Sequence, residues 1–166
     1  MFHRFACCLV GLLLWCAAAP TLAADESTHG SWTVRCEEVT NDDEQECIMY
    51  QNLVLRTGGQ PVLQLSVGLA PPDNLPTAVL NLPLGIYLPP GIGIRIDSAA
   101  QARFPVERCD PDGCQAVMKL RDKTVAELRQ GSKLEIEFHD SERAPLHMPL
   151  SLDGFGAAFD AISADD

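Results

Sequence analysis

The sequence is poor in basic residues. Twelve lysines and arginines stand against 23 aspartates and glutamates, which gives a formal net charge of −11 at pH 7. No local cluster of lysine and arginine offsets this excess. Because a surface this acidic repels nucleic acid and anionic lipid, we expect no nucleic-acid partner.

The motifs of common catalytic and cofactor sites are also missing. The chain has no G-x-S-x-G for a serine nucleophile and no H-E-x-x-H for a metal. The stretch Gly91-Ile-Gly-Ile-Arg-Ile96 lacks the third glycine of a dinucleotide-binding loop. No residue is therefore nominated as a general acid or base, and we expect no enzyme activity, no cofactor and no bound metal.

Residues 1–24 have the layout of a secretory signal peptide: a short basic start, an apolar run over 5–19 and then small residues. The apolar run is too short for a comfortable membrane span. We therefore predict cleavage after Ala23 or Ala24 and export to the periplasm, the outer membrane or the medium. Lipid attachment at Cys16 is the alternative, which the bulky tryptophan before it disfavours.

The mature chain, 25–166, is long enough for a single domain with one hydrophobic core. It loses one arginine and no acid with the leader, so its net charge falls from −11 to −12. The uncharged run 74–94 fits a bilayer by length, but its four prolines and three glycines would break a spanning helix. We predict short strands there, and no transmembrane segment in the mature chain.

The four cysteines of the mature chain are Cys36, Cys47, Cys109 and Cys114. An even number in an exported chain indicates two disulfides. We favour Cys36–Cys47 and Cys109–Cys114, because the cysteines form two near pairs; a crossed pairing between two sheets is the alternative. The 109/114 spacing comes close to that of a zinc pair, but the 36/47 spacing fits no compact zinc site.

Alternating apolar and polar residues predict strands along most of the mature chain. The predicted strands cover 31–37, 47–55, 62–69, 103–109, 114–120 and 133–138. The segment Asp110-Pro-Asp-Gly113 has turn chemistry and predicts a hairpin between its flanking strands. Short tandem strands with proline and glycine at the corners predict an all-β protein with a β-sandwich fold.

Two short helices are predicted as well. A helical turn near 124–130 would begin with a capping box at Thr124 and end at the glycine that follows. A C-terminal helix within 151–162 would have Ser151 or Asp153 as its N-cap. Its apolar face at helical spacing comprises Phe155, Ala158, Phe159 and Ile162.

The uncharged run supplies the best candidate for a partner contact. Core strands explain most of it. Leu82, Leu84, Ile86, Tyr87 and Leu88 could instead form an exposed apolar patch or edge that accepts a protein partner.

A periplasmic metal-handling or enzymatic protein is the alternative. Residues 37–46 carry six acids between two cysteines, but their spacing lacks the alternating acids and the glycine of an EF-hand. His139 and His147 flank a turn and could approach across a hairpin, without any metal-binding spacing. We interpret the acidic segment as a solvated loop and both histidines as surface residues.

Several features together resemble the invasion-associated locus B family of exported bacterial proteins. They are Trp32-x-x-x-Cys36, Cys47-Ile-Met-Tyr-Gln51, Leu82-Pro-Leu-Gly85, Leu88-Pro-Pro-Gly91, Phe104-x-x-x-x-Cys109, Gly113-Cys114-x-Ala116 and Leu150-Ser-Leu-x-Gly-Phe155. The resemblance implies an immunoglobulin-like β-sandwich, an envelope or secreted location and, in some members, an association with host-cell invasion. It supplies no catalytic residues. We therefore expect a binding protein, with a structural envelope component as a further alternative.

Overall fold

The chain folds into two antiparallel β-sheets and two short helices in a computed structural model that describes residues 25–38, 45–54 and 61–164. The predicted leader and residues 39–44 of the acidic segment lie outside the described residues. The expected all-β, immunoglobulin-like β-sandwich is confirmed. Neither helix in the described part of the chain has the length and apolar character needed to cross a membrane.

The elements follow one another in a simple order along the chain. They are β1 (Asp25–His29), β2 (Trp32–Glu38), β3 (Gln45–Val54), β4 (Pro61–Ala70), β5 (Leu75–Leu82), β6 (Ile92–Ile96), β7 (Ala102–Phe104), β8 (Arg108–Asp110), β9 (Gly113–Lys119), α1 (Asp122–Gln130), β10 (Lys133–His139), β11 (Pro145–Ser151) and α2 (Phe155–Ser163). The large sheet has the order β1-β2-β3-β4-β5-β9-β8, and the small sheet has the order β11-β10-β6-β7.

The predicted strand over 103–109 is wrong as a single element. It divides into β7 and β8, which belong to different sheets. Pro105 follows β7 directly, and a proline has no N–H to continue a ladder, so the chain leaves the small sheet there and crosses to the large one. The sequence interpretation also missed β1 and β11, because β1 is polar throughout and β11 contains Pro145 and Pro149.

The capping box predicted at Thr124 is wrong. Helix α1 already begins at Asp122, after Arg121, and Arg121 makes no side-chain cap hydrogen bond. The N–H of Val125 donates to the Arg121 carbonyl at 3.0 Å, so Thr124 lies inside the first turn. The predicted stop is confirmed, since the N–H of Gly131 donates to the Glu127 carbonyl at 2.9 Å.

The caps predicted for the C-terminal helix are also wrong. Gly154 precedes α2 as its N-cap with φ +83°, a conformation that favours glycine. A Cβ at this position would lie 2.0 Å from the His29 carbonyl oxygen. Ser151 instead ends β11, and its Oγ accepts a hydrogen bond from the Asp153 N–H at 3.1 Å.

The hydrophobic core lies between the two sheets and under α2. The large sheet has seven strands and the small sheet only four. Helix α2 packs against β1 to β4 of the large sheet. Its predicted apolar face is buried as expected. Trp32 of β2 is fully buried, and its ring meets the Phe155 ring edge-on, with the centroids 5.2 Å apart. These contacts join the first strands to the last helix in one cluster.

A group of hydrogen bonds ties the end of β11 to the large sheet. The Trp32 Nε1–H donates to the Ser151 carbonyl at 3.1 Å, and the Gln51 amide donates to the same oxygen at 3.0 Å. In return, the Ser151 N–H donates to Gln51 Oε1 at 3.0 Å. Because Gln51 satisfies both backbone groups of Ser151, this end of the edge strand offers no free ladder position.

Both favoured disulfides are confirmed. Cys36–Cys47 joins directly opposed residues of β2 and β3, and Cys109–Cys114 joins directly opposed residues of β8 and β9. The alternative crossed pairing is therefore wrong. The predicted hairpin at 110–113 is also present, and the Asp110 carboxylate accepts a hydrogen bond from the Asp112 N–H at 3.0 Å inside its turn.

Candidate interaction surface

The connection between β5 and β6, residues 83–91, is an exposed apolar segment that we call the apolar loop. Its side chains Leu84 and Leu88 are 55% and 44% exposed. Ile86 and Tyr87 are half-buried. Among the described residues, Leu84 has the highest exposed fraction of the large apolar side chains. The loop therefore presents leucines to solvent at positions where the sequence suggested a partner contact.

The expected place of Leu82 on this surface is wrong, because its side chain lies in the core. It is 3% exposed and pairs with Cys114 at the end of β5. Strand β5 alternates, and Ala78, Leu80 and Leu82 all point into the core. The uncharged run thus changes from core strand to surface loop immediately after Leu82, because Pro83 interrupts the strand.

The apolar loop is held in place from both sides. The Tyr87 N–H donates to the His139 carbonyl at 2.8 Å, in an isolated antiparallel bridge to β10. The Arg143 guanidinium lies over the Tyr87 ring, 4.9 Å from its centroid. At the loop's end, the Gly91 N–H donates to the Leu88 carbonyl at 2.9 Å. These contacts fix the loop before any partner binds.

Beside the loop, the outer face of the small sheet carries a charge network. Arg95 pairs with Glu135, and Arg103 pairs with Glu137. His147 Nδ1 lies 3.5 Å from Glu135 and 3.9 Å from Glu137. All five residues point outward from β6, β7, β10 or β11, at positions that the strand register places side by side.

Arg103 connects the charge network to the apolar loop. One guanidinium nitrogen pairs with Glu137, and another lies 3.4 Å from the Pro90 carbonyl oxygen of the loop. Gln101 also donates to Glu137, at 3.1 Å. The carboxylate of Glu137 therefore positions the arginine that supports the end of the loop.

The network lowers the pKa of both carboxyl groups. The hydrogen bonds from Arg103 and Gln101 hold the pKa of Glu137 below its usual value. Burial alone would raise the pKa of Glu135, but the hydrogen bond and charge of Arg95 with the charge of Lys133 outweigh burial and lower it. Both groups are thus held ionised by their neighbours.

These shifts predict a dependence of stability on pH. A carboxyl group with a lower pKa in the folded chain contributes stability above its unfolded pKa, and this contribution disappears as the pH falls through the folded pKa. We expect the free energy of unfolding to decrease as the pH drops below about 4.5, the ordinary pKa of a glutamate. The decrease is expected to be less steep in the Glu135→Gln/Glu137→Gln variant. Urea denaturation at a series of pH values measures both slopes, and Glu107→Gln, an exposed acid elsewhere, is the control. Equal slopes for the double variant and the wild type would contradict the assignment.

The residues of the metal-handling alternative occupy separate places. His147 lies on the outer face of the small sheet within the charge network. His139 also points outward from β10, but its Nδ1 is buried and has no hydrogen-bond partner. His139 is therefore less exposed than the predicted surface residue. In the described ranges, no three His, Cys, Asp or Glu side chains converge as a metal site. Asp42 and Asp43 of the acidic segment lie outside those ranges.

A protein-family model matches most of this chain. The family model described as "Invasion associated locus B (IalB) protein" matches residues 32–163. The chain belongs to the IalB family. The match extends from the buried Trp32 to the end of α2, so it includes every strand except β1, both helices and the apolar loop.

Two curated relatives of this IalB chain are named invasion protein B homologs. An invasion protein B homolog of Brucella abortus strain 2308 is 31% identical over 140 residues, which cover 84% of this chain and 79% of that protein. A homolog of Brucella abortus biovar 1 strain 9-941 matches to the same extent. The crystal structure of invasion associated protein B from Bartonella henselae superposes with a TM-score of 0.75 at 24% identity, over 85% of this chain and 96% of that one. The fold of this chain is therefore also found in the solved structure of the Bartonella protein.

Sequence reasoning missed the charge network and the contact of Arg143 with the apolar loop. The alternation of 133–138 does show that Glu135 and Glu137 point outward. It gives no indication that Arg95 and Arg103, about forty and thirty-four residues earlier, lie on the adjoining strands. That arrangement depends on the strand order of the small sheet of this IalB protein.

Proposed function

We propose that this IalB family protein is exported, has no active site, and acts by binding a protein partner through its apolar loop. The partner would lie on a host surface or in the bacterium's own envelope. Residues 25–166 would form the mature protein as a single domain. The observation that carries the proposal is a pair of solvent-exposed leucines, Leu84 and Leu88, on a loop that is already fixed in place.

The fixed loop favours binding because little order remains to be imposed. Association costs roughly 0.5–1.5 kcal/mol for each flexible side chain that is immobilised, and a preformed loop lowers this cost. Complete burial of a leucine contributes about 1.5–3 kcal/mol, so the two half-exposed side chains Leu84 and Leu88 together contribute about that much to a complex. The Arg143–Tyr87 pair on the same loop adds arginine and tyrosine, two residue types that are enriched at the centres of interfaces.

Three observations support export and an envelope or secreted location. The first 24 residues have signal-peptide composition, and the folded chain contains two disulfides, which persist in oxidising compartments. The curated Brucella relatives are named invasion protein B homologs. Association with host-cell invasion is the role that we propose for this chain by its family membership.

The Leu84→Ser/Leu88→Ser variant tests the proposed contact. We expect its affinity for the partner to fall about a hundredfold, because two buried leucine contacts are lost. The assay compares retention of wild-type and variant protein on host-cell membranes and on the bacterium's own envelope fraction. The matched control is Val54→Ser/Leu75→Ser, which removes two side chains of similar exposure elsewhere on the surface.

Equal retention of the two double variants would contradict a specific role for the loop. Retention that is lost only in the loop variant, on one of the two surfaces, would support the proposal and identify the side on which the partner lies. Stoichiometric zinc, copper or calcium in the purified protein would instead favour the metal-handling alternative.

A further inference from the structure

The interior of the sandwich contains a cavity that the core side chains leave unfilled. A water-sized sphere can be placed in about 30 Å³ of it, and its empty space amounts to about 490 Å³ when the open mouth is counted. The large sheet contributes lining side chains from β4, β5 and β9, and the small sheet contributes them from β6, β7 and β10. Thr124 and Leu128 of α1 and Phe155 of α2 also line it. The cavity therefore lies between the two sheets, beside α1.

Two alanines on adjoining strands of the large sheet create this space. Ala78 of β5 and Ala116 of β9 are buried and line the cavity. The strand register pairs Ala78 with Met118 and Ala116 with Leu80, so each alanine lies opposite a long side chain. Alanine is depleted in strands relative to valine, and packed interiors usually leave few voids larger than a water molecule. The two small side chains thus keep open a space that larger residues would fill.

The cavity opens to the surface at the edge formed by β7. Phe104 lines the cavity, so Ala102, two positions earlier on the same strand, faces the same way. Ala102 is nevertheless exposed, and the lining residues Met118 and Thr124 are only half-buried. Because β7 has only three residues, it leaves the gap between the sheets uncovered at this point.

The wall of the cavity selects hydrocarbon. It presents no polar surface, since even Thr124 contributes none. A buried water needs two to four polar partners, so this wall does not hold an ordered water. An apolar group that enters instead supplies the dispersion contacts that the lining lacks. The part of a ligand that enters must therefore be apolar.

The shape of the cavity selects a chain over a bulky ring system. Its total empty space falls within the range of about 300–1,000 Å³ that is usual for ligand pockets. Little of that space accepts a water-sized sphere, so the cavity is a narrow slot between two packed sheets. An unbranched aliphatic chain can follow such a slot, whereas a rigid cage is too wide for it. Because the mouth is open, a polar head group can stay in water.

We propose that this cavity binds the aliphatic chain of a single-chain amphiphile, such as a fatty acid, with the head group at the mouth between β7 and Thr124. None of residues 83–91 lines the cavity. The site is therefore separate from the apolar loop and goes beyond the proposed protein contact.

Calorimetric titration with dodecanoate, below the concentration at which it forms micelles, tests the proposal. We expect the Ala116→Val variant to bind dodecanoate at least about tenfold more weakly, because the added methyl groups occupy space that the chain would fill. Valine favours strands and fills part of a void, so the variant is expected to fold, and its melting curve checks this. The matched control is Ser66→Val, which places the same side chain on the outer face of the large sheet.

A second variant and a second ligand make the test independent of core packing. Thr124→Trp changes a half-buried residue in the first turn of α1, covers the mouth and is expected to weaken dodecanoate binding as well. Adamantanecarboxylate carries the same carboxylate on a bulky cage and is expected not to bind. Co-sedimentation with phosphatidylcholine vesicles distinguishes a membrane lipid from a free fatty acid as the source of the chain.

The outcomes separate a binding site from a packing void. Dodecanoate binding that Ala116→Val weakens and Ser66→Val does not would support the site. In that case, co-sedimentation lost in Ala116→Val would identify a membrane lipid as the source, and its absence in the wild type would identify a free fatty acid. The proposal is overturned if the wild type does not bind dodecanoate, if Ala116→Val binds as tightly as Ser66→Val, or if adamantanecarboxylate binds as tightly as dodecanoate.

The apolar loop supplies the last control. The Leu84→Ser/Leu88→Ser variant is expected to bind dodecanoate as the wild type does. A loss of binding in this variant would overturn the proposal, since the chain would then lie on the loop. Failure of the loop to bind a protein partner leaves these measurements unchanged, so the two proposals fail independently.

Discussion

Replacement of Trp32 by alanine is expected to lower the free energy of unfolding by about 4 kcal/mol. The indole is fully buried and packs edge-on against the Phe155 ring at 5.2 Å. Its loss leaves a cavity between β2 and α2, and it leaves the Ser151 carbonyl without the indole N–H donor at 3.1 Å. Urea denaturation followed by circular dichroism measures the change as a shift of the midpoint at constant slope.

Trp32→Phe separates the two contributions. Phenylalanine keeps an aromatic ring against Phe155 and removes the indole N–H, while the Gln51 amide still donates to Ser151. We expect a smaller loss than for alanine, by at least about 1 kcal/mol. If Trp32→Ala costs less than about 2 kcal/mol, below the range for loss of a buried aromatic ring, α2 does not depend on this ring for its packing.

Removal of the Cys36–Cys47 disulfide in the Cys36→Ala/Cys47→Ala variant is expected to cost about 3 kcal/mol, because the unfolded chain regains the entropy of an open loop. The two cysteines are separated by 11 positions. Since a domain of this size is stable by only about 5–15 kcal/mol, the loss is a large part of the total. Thermal and urea denaturation without reductant measure it.

The second disulfide supplies the matched control. Cys109 and Cys114 are separated by only 5 positions, so Cys109→Ala/Cys114→Ala is expected to cost about 2 kcal/mol, less than the first pair. Titration of the denatured, unreduced protein is expected to find no free thiol among the four cysteines of 25–166. A larger loss for the 109/114 pair than for the 36/47 pair would contradict an origin in loop entropy.

The sequence was informative wherever residue character follows a local period. The alternation of 133–138 matches β10, and Phe155, Ala158, Phe159 and Ile162 were identified as the buried face of α2 because helical spacing is a local property. Both disulfides were also predictable, since each pair is near in sequence and closes opposed strands.

Other features depend on which strands become neighbours. Nothing in 103–109 except Pro105 shows that the chain changes sheets there, and the helix caps failed because Arg121 and Gly154 satisfy geometry without cap side chains. The charge network requires residues dozens of positions apart to meet on adjoining strands, and so does the hydrogen bond from Gln115 to Asn81. Alternation shows which side chains point outward but not which of them become neighbours across the sheet.

The hydrogen bonds that converge on Ser151 also constrain the order in which the protein can fold. They span 100 and 119 residues, from Gln51 and Trp32. During synthesis the strands β1 to β5 emerge first and can pair as successive hairpins. Trp32 is covered only after β11 and α2 have been made, because it contacts Ser151 and Phe155. Contacts of such long range slow the final step of folding. A polypeptide truncated before Ser151 would lack α2 and would leave Trp32 and the part of the large sheet under that helix exposed to water, which favours aggregation.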